Sequence, residues 1–374
     1  MDFDYTAMPI AMAAMALTVD ALCLRYLVRL PGRALTPGRK LIRFVPAFAA
    51  VVVATSAAAS CAYNAAAIHR FWAKHPPAGP FEEVNGSRMH IDCTGSGSPA
   101  LILDAGLGGD SVSWSELQPV LSQTTRVCSY DRAGFGWSQA ARGPRDADAI
   151  AGELHQLLRQ AGVSGRVVLM GNSIAGLYIR DYAALYPAEV AGLIFVDASN
   201  PSADAAARSG GAAPPAWVFH LALMLGVPRI IGRCSHPGGG PEAAFQTMLS
   251  EDFCRLHYEA YAAELREFGA SSQEVERAHS FGSLPILIFS HDPLGTLPRR
   301  SETEAEKATQ SAWNAGQEKL KALSTRSRRI IVTGSSHHLD EERPGLVETE
   351  VAEFIQEIRG VAPQPSDYGS TKEE

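Results

Sequence analysis

Apolar residues fall along this chain in three kinds of run. Two long runs lie near the N-terminus. Residues 44–68 (FVPAFAAVVVATSAAASCAYNAAAI) carry no charge. As a helix they would extend roughly 37 Å, enough for a bilayer core of about 30 Å. Residues 5–24 are also apolar but hold Asp20 near their end, a charge that is costly at a bilayer centre and tolerable near its surface. The second kind is short and compact: 99–104, 126–131, 166–170, 190–196, 285–290 and 329–333 read as buried strands. The third kind has helical spacing. Ile150, Leu154, Leu157 and Leu158 recur over 146–162, and Val347, Val351, Phe354, Ile355 and Ile358 over 346–359. Further helices are expected over 114–123, 173–186 and 302–324, and a hairpin over 83–93 turns at Asn85-Gly86.

Strands alternating with helices predict an α/β domain, its mostly parallel sheet covered on both faces. Residues 200–283 interrupt the alternation. Some eighty residues between two core strands exceed an ordinary loop and read as an inserted helical cap, rich in Ala, Gly and Pro at first and helical over about 242–268. The linker HPPAGP at 75–80 marks the other boundary. The expected organisation is an N-terminal anchor over 1–78, an α/β domain over 79–362, and a disordered polar tail over 363–374.

Composition supports a packed protein. Of 374 residues 46% are hydrophobic and 20% charged, which excludes a mainly disordered chain. A net charge of −7 argues against a nucleic-acid partner. The charge is uneven: residues 1–43 net +3 and the remainder −10. Arg25, Arg29, Arg33, Arg39, Lys40 and Arg43 lie between the two apolar runs. Retention of basic loops on the cytoplasmic side then places everything after about residue 75 outside the cytoplasm. The alternatives are a signal sequence cut within AAASCA, or a lipoprotein-like site at Cys61. No C-x-x-C pair occurs among the six cysteines, so neither a zinc site nor a thioredoxin-like motif is expected. Cys93, Cys128, Cys234 and Cys254 read either as two bridges or as small buried hydrophobes.

Four features carry chemistry. In VVLMGNSIAGLYIRDYA (167–183) a strand meets Gly171-Asn172-Ser173-Ile174-Ala175-Gly176 and a helix follows. This is the setting of a nucleophile elbow, where residues two before and two after the serine must be small. Gly171 and Ala175 satisfy that. In LILDAGLGGDSVSW (101–114) a strand runs into a glycine-rich loop. Leu107 N–H is the expected oxyanion donor there, paired with Ile174 N–H; the Gly-Lys-Ser/Thr ending of a phosphate loop is missing. The late run VTGSSHHLDEERPGLV (332–347) offers His337 or His338 as general base. Adjacent histidines without H-E-x-x-H spacing do not suggest a metal, and no cofactor is expected. The orienting acid is expected to be Asp292, immediately after a strand, with Asp197, which also ends a strand, as second choice.

These residues together resemble the α/β-hydrolase superfamily over roughly 83–360. Within it the run IDCTGSGSPALILDAGLGG…RVCSYDRAGFGWS…LMGNSIAGLYIRDYA…YPAEVAGLIFVDAS is similar to membrane-anchored bacterial hydrolases. The resemblance implies an eight-stranded sheet, a cap after the sixth strand and a Ser–His–acid triad. It implies His337 as the base, because Pro344 stands seven residues later. It gives Asp131 and Arg132 of the YDRAGFGWS run a structural role. The chain departs from the family at Asn172, where relatives often have His, and at Asp104-Ala105-Gly106, where they often have His-Gly. Ser173 argues against relatives that open epoxides or remove halides through Asp. The expected function is a serine hydrolase that cleaves a carboxylic ester or related acyl bond of a small-molecule substrate, anchored in a bacterial inner membrane. An acyltransferase or peptidase would use the same triad, and a non-catalytic binding protein shares the scaffold. Apolar residues of the cap such as Trp217, Phe219, Leu221 and Leu225 are expected either to line a pocket or to form the cap's own core.

Overall fold

The computed structural model describes residues 7–29, 36–140, 143–201, 216–234, 251, 254, 258–291 and 304–360. It forms two compact units, one of residues 77–212 and 259–374, the other of 1–76 and 213–258. In chain order the described helices are α1 (Ala7–Arg29), α2 (Pro37–Trp72), α3 (Leu117–Leu121), α4 (Ala147–Gln160), α5 (Ala175–Leu185), α6 (Ala216–Met224), α7 (Val227–Ile230), α8 (Tyr258–Glu274), α9 (Glu304–Lys321), α10 (Leu339–Glu342) and α11 (Pro344–Arg359).

The larger unit is built on eight strands: β1 (Phe81–Val84), β2 (Ser87–Thr94), β3 (Ala100–Asp104), β4 (Val127–Tyr130), β5 (Val167–Asn172), β6 (Val190–Val196), β7 (Ile286–His291) and β8 (Ser327–Val332). They lie in the order β1-β2-β4-β3-β5-β6-β7-β8. β2 runs antiparallel to both its neighbours, and the remaining pairs are parallel. The first hairpin turns at Asn85 and Gly86, whose φ angles of 51° and 76° suit the tight turn that this dipeptide favours.

Side chains alternate across the sheet, so each parallel strand feeds two cores. Ile102, Leu169, Phe195 and Ile288 point to one face, where Leu154, Leu157 and Leu158 of α4 and Ile179 and Tyr182 of α5 cover them. Leu101, Met170, Ile194 and Phe289 point to the other, against Leu117 and Leu121 of α3 and Val351, Phe354 and Ile355 of α11. The apolar stripe of α4 is the one the spacing predicts. Its start is set by Asp146, whose carboxylate accepts the Ala149 N–H at 2.9 Å. Cys93 and Cys128 stand directly opposite on β2 and β4 and are bridged.

In the smaller unit α2 has the length and apolarity to cross a membrane, and α1 packs along it. Thr55 of α2 donates to the buried Asp20 of α1 at 2.6 Å. The first half of α2 leaves Phe44, Val45, Phe48, Val52 and Val53 exposed, whereas Ala58, Cys61, Ala65 and Ile68 are buried. That spacing of three and four residues marks one helix face. Ser60 Oγ donates to the Leu225 carbonyl at 2.6 Å and Asn64 Nδ2 to the Leu223 carbonyl at 2.9 Å. Cys234 and Cys254 form a second disulfide, and Cys23 and Cys61 are free.

The inserted segment thus departs from the single cap expected over 200–283. Residues 213–258 group with the N-terminal helices, and α8 groups with the sheet. The physical reason lies in α2: Ser60 and Asn64 are polar positions on its packed half, and the carbonyls at the end of α6 satisfy them. Of the helix expected over 242–268, the described helical part is Glu251 and α8 from Tyr258; most of 242–257 lies outside the described residues. Residues 235–250 and the tail 363–374 lie outside the described residues. Leu223 and Met224 are buried while Trp217 is 67% exposed, so Trp217 does not belong to the core of its segment.

Candidate active site

The C-terminal ends of β5, β6, β7 and β8 bring the candidate residues together, where open α/β sheets gather their sites. Ser173 follows β5 with φ of 52°, a conformation that side chains rarely adopt. Its surroundings impose it. A Cβ at Gly171 would come within 2.8 Å of the Ala175 carbonyl oxygen, so the turn closes only over a glycine. Ser173 N–H donates to the Val196 carbonyl at 3.0 Å, and the Ser173 carbonyl accepts from Gly176 N–H at 3.0 Å and Ser199 N–H at 2.8 Å.

His337 sits in the loop between β8 and α10. Its Nε2 lies 3.0 Å from Ser173 Oγ and its Nδ1 2.6 Å from Asp197 Oδ2. With Nδ1–H donated to the carboxylate, Nε2 is left to accept the serine proton. The loop is held by Ser335 Oγ, which donates to the Val332 carbonyl, and by Ser336, whose N–H and Oγ both donate to Glu342. The neighbouring His338 is 68% exposed and stands 3.8 Å from Glu341. Between the two histidines, His337 is the one that reaches the serine.

Asp197 follows β6, also with positive φ (42°), and is fully buried. Besides His337 it accepts from His291 Nδ1 at 2.7 Å, His291 N–H at 3.2 Å and Trp313 Nε1 at 3.0 Å. Burial pushes its carboxyl up. The hydrogen bonds from His291 and His337, and the electrostatic attraction of the two imidazoles for the carboxylate, outweigh that and hold it well below the usual carboxylate range. Asp292, the acid expected from the sequence, lies outside the described residues. The carboxylate that meets His337 is that of Asp197, the second choice of the sequence reading. His291 and Trp313 were not foreseen; His291 shared with Asp197 and Asp292 the signal of ending a strand, and Trp313 had none.

The loop after β3 passes directly beside the serine. A Cβ at Gly106 would meet Asn172 Oδ1 at 2.7 Å and Ser173 Cβ at 3.4 Å. Leu107 follows in this loop, and Ile174 lies at the start of α5. Among the described residues neither amide is engaged in a hydrogen bond, which leaves both free for an anion.

Arg132 holds this loop from beneath. It is buried, donates to the Ala105 carbonyl at 2.5 Å, the Gly106 carbonyl at 2.9 Å and Asp104 at 2.7 Å, and grips Glu264 of α8 through two bonds of 2.8 and 3.0 Å. Burial raises the Asp104 carboxyl to about 6, against the opposing charge of Arg132. Asp131 accepts from the amides of Ser111 and Trp137, at 2.8 Å each, and from His90 at 2.9 Å. Both residues of the YDRAGFGWS run therefore brace loops. Among the described residues no group of three or more His, Cys, Asp or Glu is placed to hold a metal ion.

Comparison with known proteins gives related results. The family described as alpha/beta hydrolase fold matches residues 99–220. An uncharacterized protein of Schizosaccharomyces pombe is 41% identical over 86 residues, 23% of this chain and 16% of that one. The uncharacterized Bacillus subtilis protein YbdG is 25% identical over 206 residues, 54% of this chain and 62% of its own. The chain thus matches less than two thirds of the length of either relative. Among solved structures, the enol-lactonase from Burkholderia xenovorans LB400 superposes with a TM-score of 0.53 at 21% identity, over 74% of this chain and all of that one. At that identity the likeness speaks for the fold.

Proposed function

Starting from a chain that has the α/β-hydrolase fold and matches that family's model over residues 99–220, we propose that it is a serine hydrolase of a carboxylic ester or closely related acyl bond. The observation that carries this reading is the continuous line of hydrogen bonds from Ser173 Oγ through His337 to Asp197, at 3.0 and 2.6 Å.

In the proposed reaction Ser173 attacks the acyl carbon as His337 Nε2 takes its proton. The imidazolium is stabilised by Asp197, which holds the ring by Nδ1 and stays ionised. The Leu107 and Ile174 amides receive the oxyanion. The proton on Nε2 passes to the leaving alcohol, and the acyl group remains on Ser173. A water molecule, deprotonated by the same nitrogen, attacks that ester; the carboxylic acid leaves and Ser173 recovers its proton.

We further propose that α2 anchors the chain in a membrane, with Arg33, Arg39, Lys40 and Arg43 on the cytoplasmic side and the hydrolase unit on the other. The basic loop supports this orientation. The two disulfides support an oxidising compartment beyond it.

The test is hydrolysis of a p-nitrophenyl ester series of increasing acyl length by the full chain in detergent micelles. The reading expects turnover by the wild type and none above background by Ser173→Ala. Equal rates from the two proteins would overturn it.

A further inference from the structure

The smaller unit carries apolar side chains that its own core does not use. Trp217 is 67% exposed, Ile230 65% and Ile231 66%, and Val218 and Val227 are exposed as well. They lie on α6, on α7 and just after it. So many exposed apolar side chains on two short helices call for a partner.

The structure fixes the height along α2 of the corner that joins these helices. The corner between α6 and α7 is clamped to α2 by Ser60 on the Leu225 carbonyl, Asn64 on the Leu223 carbonyl, and Arg229 Nε on Asn64 Oδ1 at 3.0 Å. Gly226 at that corner approaches so closely that a Cβ there would come 2.8 Å from Asn64 Cβ. Counting from Phe44, the first residue after the last basic residue of the loop, Ser60 and Asn64 stand roughly 24 and 30 Å along the helix axis. The hydrocarbon core of a bilayer is about 30 Å thick. A bilayer crossed by α2 with Arg43 at one surface therefore has its other surface level with the corner between α6 and α7.

Two further observations agree. The large exposed side chains of α2 below that level, Phe44, Val45, Phe48, Val52 and Val53, are apolar, with the small Thr55 and Ser56 the exposed hydroxyl residues there; Tyr63, exposed at the level itself, is a side chain suited to the boundary. One charge pair there is closed inside the unit: Arg229 grips Glu251 through two bonds of 2.7 Å, both side chains being almost fully buried, and the exposed Arg233 just after Ile231 suits the head-group level.

We propose that α6 and α7 rest in the interfacial layer of the bilayer that α2 spans, with Trp217, Ile230 and Ile231 inserted among the head groups and the first acyl carbons. Short helices with a Trp and aliphatic residues on one side bind this layer by burying that side. The partner is thus the lipid itself. The inference rests on the membrane-anchored reading of α2.

The test uses the full chain reconstituted in phosphatidylcholine–phosphatidylglycerol vesicles. Some carry a doxyl nitroxide near the head-group end of the acyl chain. Subtracting the emission of Trp217→Phe from that of the wild type isolates Trp217. The proposal expects the nitroxide lipid to remove most of that emission and aqueous acrylamide to remove little. It also expects Ile230→Asp/Ile231→Asp to keep the protein on the vesicles, through α2, while Trp217 loses its lipid quenching. Trp217 open to acrylamide and untouched by nitroxide in protein that floats with the vesicles would overturn this inference and leave the anchor standing. Shielding from both quenchers together with a cross-linkable dimer would overturn it in favour of a second copy. Failure to float at all would overturn the anchor reading, and this inference with it.

Discussion

Asp197 is the residue on which the proposed chemistry turns. Two carboxylates, Asp197 and Asp292, each come just after an apolar strand-like run in the sequence, and sequence pattern treats them alike. What separates them is the path of the chain after β6, where Asp197 takes φ of 42° and drops its side chain between His337, His291 and Trp313. No local spacing announces that path. The serine, by contrast, was legible, because Gly171 and Ala175 are dictated by the crowding of the turn itself. We expect Asp197→Asn to lower kcat/KM for an activated ester by on the order of 10³–10⁴-fold, as loss of an orienting carboxylate does. Asp292→Asn should leave it close to wild type; steady-state kinetics of the two variants decide between them. The depressed carboxyl of Asp197 also makes a stability prediction. A folded-state pKa below the unfolded value stabilises the protein above the ordinary carboxylate pKa of about 4, and that stability is lost as pH falls from there toward the folded value. Urea midpoints of wild type and Asp197→Asn should therefore differ most at neutral pH and converge in acid. A gap that widened in acid would contradict this.

At the scale of elements, the strands and the amphipathic helices followed from hydrophobic periodicity, because both faces of the sheet are buried at its centre, where β3, β5, β6 and β7 are apolar along most of their length. Pairings across elements were less legible. Cys93 and Cys128 form a bridge because register sets them opposite on β2 and β4, and register depends on the whole sheet. Replacing both by serine should lower stability by about 2–4 kcal/mol while kcat is retained, as thermal unfolding and ester turnover would show. The packing of α5 on the end of β6 is tighter still. A Cβ at Gly176 would come within 2.4 Å of Ala198 Cβ, next to Asp197. Gly176→Val should cost about 1–3 kcal/mol by overpacking and reduce activity through displacement of that carboxylate. Gly152→Ala, in α4 with nothing within 4 Å of the added carbon, should instead stabilise by about 0.5–1 kcal/mol at unchanged activity. Melting curves of the two variants should shift in opposite directions.

Across the whole molecule, the long apolar run was visible at once, and its boundaries moved outward to Pro37–Trp72. The partner of its packed half was not visible. Ser60 and Asn64 are matched by backbone carbonyls of the inserted segment, and carbonyls leave no mark in a sequence. The insertion that looked like a single cap is for that reason shared between two units. The orientation proposed for the chain has a direct consequence. Protease added to spheroplasts expressing it should digest the hydrolase unit, and the same unit should be protected in inside-out vesicles; the reverse pattern would refute the assigned topology.

The central claim, that Ser173 is an activated nucleophile, is tested most directly by fluorophosphonate labelling of the full-length protein followed by peptide mass spectrometry. The account predicts one adduct, on the peptide containing Ser173, absent from Ser173→Ala and strongly slowed in His337→Ala and Asp197→Asn. A folded wild type that takes no label, or one whose label maps to another residue, would contradict it.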